Sequence, residues 1–130
     1  MDAMVGAGLN KLLEWARRDP DVLAVILFGS RARGEASPGS DLDVCLVHAA
    51  APPSALAASH KRLEYLAEVD LDVAIFRQLP LYIRSRVLKE GTVLLVRDEE
   101  ALYGLATRTA RAFEDFRHVY REYLDQVARG

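Results

Sequence analysis

The chain has 130 residues, 51% of them hydrophobic and 28% charged, with a formal net charge of -2. That is the length of one domain, residues 1–130, with enough apolar side chains for a real core. The charge balance argues against a general nucleic-acid coat, which would be basic, and leaves room for a local basic patch; no direct nucleic-acid binding is expected.

From about Val5 to Arg18, Leu9, Leu12, Leu13 and Ala16 recur at helical spacing, and Asp19-Pro20-Asp21 ends that helix. "VLAVILF", Val22 to Phe28, is apolar on both faces and predicts a central strand. Gly29-Ser30 turns the chain, a short helix can open over Ser30 to Arg33, and "EASPGS" is loop by composition. "DLDVCLV", Asp41 to Val47, predicts a second strand; Ser54 can cap a helix running to about Glu68; "VDLDVAIF", Val69 to Phe76, predicts a third strand. Pro80 introduces the helix "LYIRSRVLKE" and Gly91 stops it; "TVLLV" is a fourth strand; Asp98 can cap a long helix from Glu99 to about Val127. The expected fold is therefore α/β (α+β): a small mixed sheet of about four strands covered by helices, with a long C-terminal helix.

The single cysteine, Cys45, has no partner for an internal disulfide and no metal-type spacing; it reads as core packing in a chain suited to a reducing cytoplasm. The N-terminus does not read as a signal peptide, and no apolar run reaches the length of a membrane span. His48, His60 and His118 have no metal-partner spacing and are expected at the surface or its boundary. Trp15 is expected as a core or interface anchor; Tyr82, Tyr103, Tyr120 and Tyr123 fit helix faces, where packing is favoured and partner contact is the alternative.

Two carboxylates open the second strand. Strand alternation puts Asp41, Asp43 and Cys45 on one face, with the two acids roughly 7 Å apart along the backbone. Like charges so placed repel and resist burial, so a cation belongs between them. A hard divalent ion such as Mg2+ accepts two carboxylates and keeps positions for water and substrate phosphate. Gly29 permits close backbone approach, Ser30 offers a hydroxyl and free amides, and Arg31 and Arg33 stand near enough to touch phosphate oxygens. Ser40, in the turn before Asp41, is a further nucleotide-binding candidate. A third carboxylate, for metal binding or as a base, is offered by Asp70 or Asp72 on one face of the third strand.

With these residues in place, "GSRARGEASPGSDLDVCLV" resembles the GSx10DxD signature of the nucleotidyltransferase superfamily related to DNA polymerase β, and the short chain resembles its minimal (MNT) members. "LDVAIFRQLPLYIRSRVLKEGTVLL" follows the layout of that group, and its spacing from Asp72 to Gly91 favours Asp72 over Asp70 as the third aspartate. The final helix, "RTARAFEDFRHVYREYL", is similar to the tail of MNT antitoxins paired with HEPN toxins. The resemblance covers about Val22 to Leu124. It implies Mg2+ held by Asp41, Asp43 and Asp72, a triphosphate held by Gly29 and Ser30, and Asp72 helping to deprotonate the attacking hydroxyl. It further implies transfer of AMP from ATP to a tyrosine of a HEPN ribonuclease toxin, which silences the toxin. The alternatives are an antitoxin that acts by occlusion alone, and transfer to a small-molecule hydroxyl such as an aminoglycoside. The carboxylate cluster argues against the first, because idle like charges cost stability. The absence of an added helical domain argues against the second.

Overall fold

The structure is a computed structural model that describes residues 3–29, 43–50, 54–68 and 72–129. Its elements run α1 (Ala3–Arg18), β1 (Val22–Phe28), β2 (Asp43–His48), α2 (Ala55–Glu68), β3 (Asp72–Ile75), a 3-10 turn (Phe76–Gln78), α3 (Leu81–Glu90), β4 (Thr92–Val96) and α4 (Glu99–Arg129). The four strands form one sheet in the order β3-β2-β1-β4. β1 pairs antiparallel with both β2 and β4, whereas β2 and β3 are parallel, as two strands joined by a crossover helix must be. The sheet is thus mixed, and α4 is the long C-terminal helix expected.

Local chemistry explains the helix starts. The Ser54 hydroxyl accepts the Ala57 amide at 3.0 Å, and the Asp98 carboxylate accepts the Ala101 amide at 3.1 Å, each satisfying a donor that the first turn leaves free. Gly91 does end α3, but for a different reason than a left-handed cap. Its φ is -73°, an ordinary value, and its amide donates to the Val87 carbonyl at 2.9 Å. What the position demands is space: a Cβ there would lie 2.5 Å from Ile26 Cγ2 and 3.2 Å from the Leu27 carbonyl oxygen. The third strand ends one residue earlier than expected. Pairing stops after Ile75, and Phe76 turns its ring into the core at the start of the 3-10 turn.

The central strands are apolar throughout because both faces are covered. On one side Val25, Val44, Leu46, Val73 and Ile75 pack against Leu9, Leu12 and Ala16 of α1 and Ala58 and Tyr65 of α2. On the other, Ile26, Cys45 and Val47 pack against Phe76, Val87 of α3 and Leu105 of α4. Cys45 is core, as expected, and burial pushes its thiol up to about 12. Trp15 anchors α1 by meeting the Tyr65 ring edge-on at 5.5 Å. Two expectations fail. His48 is buried, because β2 extends one residue further to pair it with Val22. Tyr82, Tyr103, Tyr120 and Tyr123 are all exposed. No helix among the described residues is long and apolar enough to cross a membrane.

Candidate active site

The site forms where β1 ends and β2 and β3 begin. Phe28 pairs with Asp43 across the antiparallel ladder, and Asp43 pairs with Asp72 across the parallel one. Residues in register on parallel neighbours point to the same face, at about 4.8 Å between backbones. Asp43 and Asp72 therefore present two carboxylates side by side at the sheet's end. Ser30, Arg31, Arg33, Ser40, Asp41 and Asp70 lie outside the described residues.

Gly29 sits immediately behind Asp43. Its φ of 96° is the one positive value among the described residues, and a Cβ there would collide with Asp43 Oδ2 and lie 3.3 Å from its Cγ. The glycine is needed twice: for the backbone turn after β1, and to let that turn pass against the carboxylate.

Both acids line an open cleft of ≈ 560 Å³ with Phe28, Ser59, Arg62 and Gln78, a size suited to a small-molecule ligand. Arg62 of α2 reaches around the sheet edge. Its Nε donates to the Val73 carbonyl at 2.7 Å, and its terminal nitrogen lies 3.6 Å from Asp72 Oδ1. The Asp72 side chain is 56% exposed, so this pair orients the carboxylate more than it stabilises the fold. Gln78 donates to the Ser59 hydroxyl at 3.2 Å, joining the 3-10 turn to α2 across the cleft floor. A smaller hollow of ≈ 190 Å³, lined by Phe28, Gly29, Ile83, Arg86, Val87 and Glu90, opens on the other side of Phe28. Arg62, Gln78 and Arg86 carry no motif. They reach the site through helix packing alone, so no pattern in the sequence marks them.

Among the described residues no group of three or more His, Cys, Asp or Glu forms a metal cage. The donors that are present, the Asp43 and Asp72 oxygens, are hard carboxylates and fit a magnesium-type ion carried with a phosphate, rather than zinc.

A family model described as Polymerase beta, Nucleotidyltransferase matches residues 10–100. A Methanocaldococcus jannaschii protein named a protein adenylyltransferase is 28% identical over 108 residues, 82% of this chain and 75% of that protein. A chain from a crystal structure of a toxin–antitoxin with AMP-PNP has the same fold (TM-score 0.68, 20% identity), covering 93% of this chain and 96% of that chain. So has a chain from the complex of a tri-AMPylated Shewanella oneidensis HEPN toxin with MNT antitoxin (TM-score 0.67, 18% identity), covering 95% of this chain and 98% of that chain. The last match leaves out 5% of 130 residues, about seven, so it takes in most of the 31-residue α4.

Proposed function

The chain belongs to the polymerase beta nucleotidyltransferase family, and we propose that it is the antitoxin of a toxin–antitoxin pair, transferring AMP from ATP to a tyrosine hydroxyl of a HEPN-type toxin and so inactivating it. The observation that carries this reading is the pair of in-register carboxylates, Asp43 and Asp72, beside the backbone of Gly29. The same-fold chains from complexes of HEPN toxin with MNT antitoxin, and the adenylyltransferase name of the archaeal relative, support the choice of nucleotide and acceptor.

In this reading Gly29 and Ser30 hold the triphosphate through backbone amides and the serine hydroxyl, with Arg31, Arg33 and Ser40 as further contacts. Asp41, Asp43 and Asp72 would hold magnesium. When bound, that ion neutralises phosphate charge and favours the ionised acceptor hydroxyl. Asp72 takes the proton from the tyrosine hydroxyl. The phenolic oxygen forms a bond to the α-phosphorus, the bond from that phosphorus to the bridging oxygen breaks, and pyrophosphate leaves with the electron pair. Arg62, 3.6 Å from Asp72 Oδ1, orients the Asp72 carboxylate.

The test is a labelling assay with magnesium, α-labelled ATP and the protein encoded by the adjacent open reading frame. Label is expected on that protein, and is expected to fall by at least 100-fold in Asp43→Ala and in Asp72→Asn while both variants keep their melting temperature within a few degrees. Transfer unchanged in either variant removes that residue from the site. Absence of label from any protein, with the two chains bound, would instead support inhibition by occlusion.

A further inference from the structure

Three arginines from three elements gather at the end of the sheet opposite the carboxylates. Arg77 stands in the 3-10 turn after β3, and its terminal nitrogen donates to the carbonyl of His48, the last residue of β2, at 3.3 Å. Asp43 begins β2, so this end lies about 16 Å along the strand from the cleft. Arg84 is in the first turns of α3, and Arg108 is in α4. These two are the charges that act on Arg77. After burial, Arg108 and then Arg84 push its guanidinium below the usual arginine range, and no carboxylate opposes them. Among the described residues none of the three arginines is in an ion pair with an acid.

Such a grouping is unfavourable as it stands. Like charges held together raise one another's energy, and half-buried ones such as Arg77 and Arg84 more than solvated ones. The Nε atoms of Arg77 and Arg84 are shielded from solvent and make no hydrogen bond. A buried N–H donor without a protein acceptor calls for an acceptor from elsewhere. The start of α3 adds to the imbalance. Pro80 precedes the helix without a side-chain capping bond, and the first turn holds no acid. Free amides and the helix dipole make that end positive, and Arg84 adds a full charge where helices ordinarily place a carboxylate. Its Cβ is tilted back toward those amides. In α4, Gly104 stands at an interior position that alanine would favour. A Cβ there would lie 3.3 Å from Arg108 Nη1, so the glycine makes room for the guanidinium to lie back along the helix.

We propose that Arg77, Arg84, Arg108 and the first turn of α3 form a binding site for the phosphate group of a small molecule, separate from the carboxylate cleft. A carboxylate has two oxygens in one plane and satisfies one guanidinium fork. Three forks and a helix start offer more donors than that. A phosphate spreads about two charges over three or more oxygens, and both arginine forks and helix starts accept it. The net charge of -2 over the whole chain disfavours a nucleic-acid backbone as the source. A ligand held there joins the 3-10 turn, α3 and α4, so binding also stabilises the fold. The site is independent of the transferase reading.

The test uses the full chain in EDTA, without magnesium, so that the carboxylates of the cleft repel an anion. Pyrophosphate and inorganic phosphate are titrated by calorimetry and in thermal melts. The parent is expected to bind pyrophosphate and to melt higher with it. Arg84→Gln/Arg108→Gln is expected to weaken binding by about 10-fold for each guanidinium removed. Without ligand it is expected to melt no lower than the parent, because the change relieves repulsion and breaks no ion pair. Arg121→Gln removes one charge from the exposed half of α4 and is expected to bind as the parent does. A parent that binds neither anion overturns the proposal. So does a double variant that binds as tightly as the parent, or an Arg121→Gln variant that loses as much, which would reduce the effect to net charge. A double variant that melts well below the parent without ligand makes the arginines structural and overturns it as well. Displacement of pyrophosphate by oligouridylate lacking a terminal phosphate, or by polyglutamate at the same concentration of charge, would assign the cluster to a nucleic-acid backbone or to an acidic protein instead.

Discussion

Gly29→Ala tests the local geometry most directly. At φ 96° an alanine is strained, which costs about 1–3 kcal/mol. Its Cβ would also occupy the space of Asp43 Oδ2, so that carboxylate must swing away or the turn must open. Taking about 2 kcal/mol, and an unfolding entropy of about 0.27 kcal/mol/K for a chain of this length, the melting temperature falls by about 7 °C. The effect on activity is larger. Displacing a reacting group by about 1 Å costs on the order of 100-fold in rate. A thermal melt followed by circular dichroism and the labelling assay, run on the same preparation, check both numbers. Gly29→Ala melting within 1 °C of the parent and transferring at full rate would refute the claim that the glycine is needed for the backbone turn and for Asp43.

Arg97 donates to the carbonyls of Ala16, Arg17, Asp19 and Val22, all at 3.0 Å, and so fastens the end of α1 to the end of β4. Arg97→Met is expected to lower stability by about 2–4 kcal/mol in urea melts with no change in nucleotide affinity, and Arg97→Lys to recover less than half, since one ammonium cannot serve carbonyls in several directions. Burial holds His48 below the ordinary histidine range; Asp19 and Asp21 pull it up, Lys61 and Arg77 down, and burial prevails. Below pH 6.5 the unfolded chain therefore takes up a proton that the folded chain refuses, and stability falls as pH drops. Urea midpoints at pH 7.5 and 5.5 are expected to differ more in the parent than in His48→Gln. Equal differences would remove His48 as the cause, because Asp19, held below its usual value, loses its contribution only near pH 3.8 and lower.

The sequence by itself determined the order of the described elements and marked the carboxylates and the glycine of the candidate site. Unbroken apolar runs such as Val22 to Phe28 have no stable place except between two layers, and Ser54 and Asp98 satisfy helix amides wherever the helices then pack. Asp43 and Gly29 were legible because a carboxylate at a strand mouth and a glycine after a strand each require an explanation on local grounds. Register is not local. Only the parallel pairing of β2 with β3 set Asp72 opposite Asp43, and only the edge position of β3 let Arg62 reach around to it. His48 went unread as a core residue because one more ladder pair, to Val22, buried it. The same holds for α4. Its apolar spacing is uniform from Leu102 to Val127, and the pattern is identical for a face that covers a core and one that awaits a partner. The extent of the sheet and of α3 beneath it decided that Leu105 is buried while Tyr123, five turns on, is not, because burial depends on what other elements provide for a face to meet.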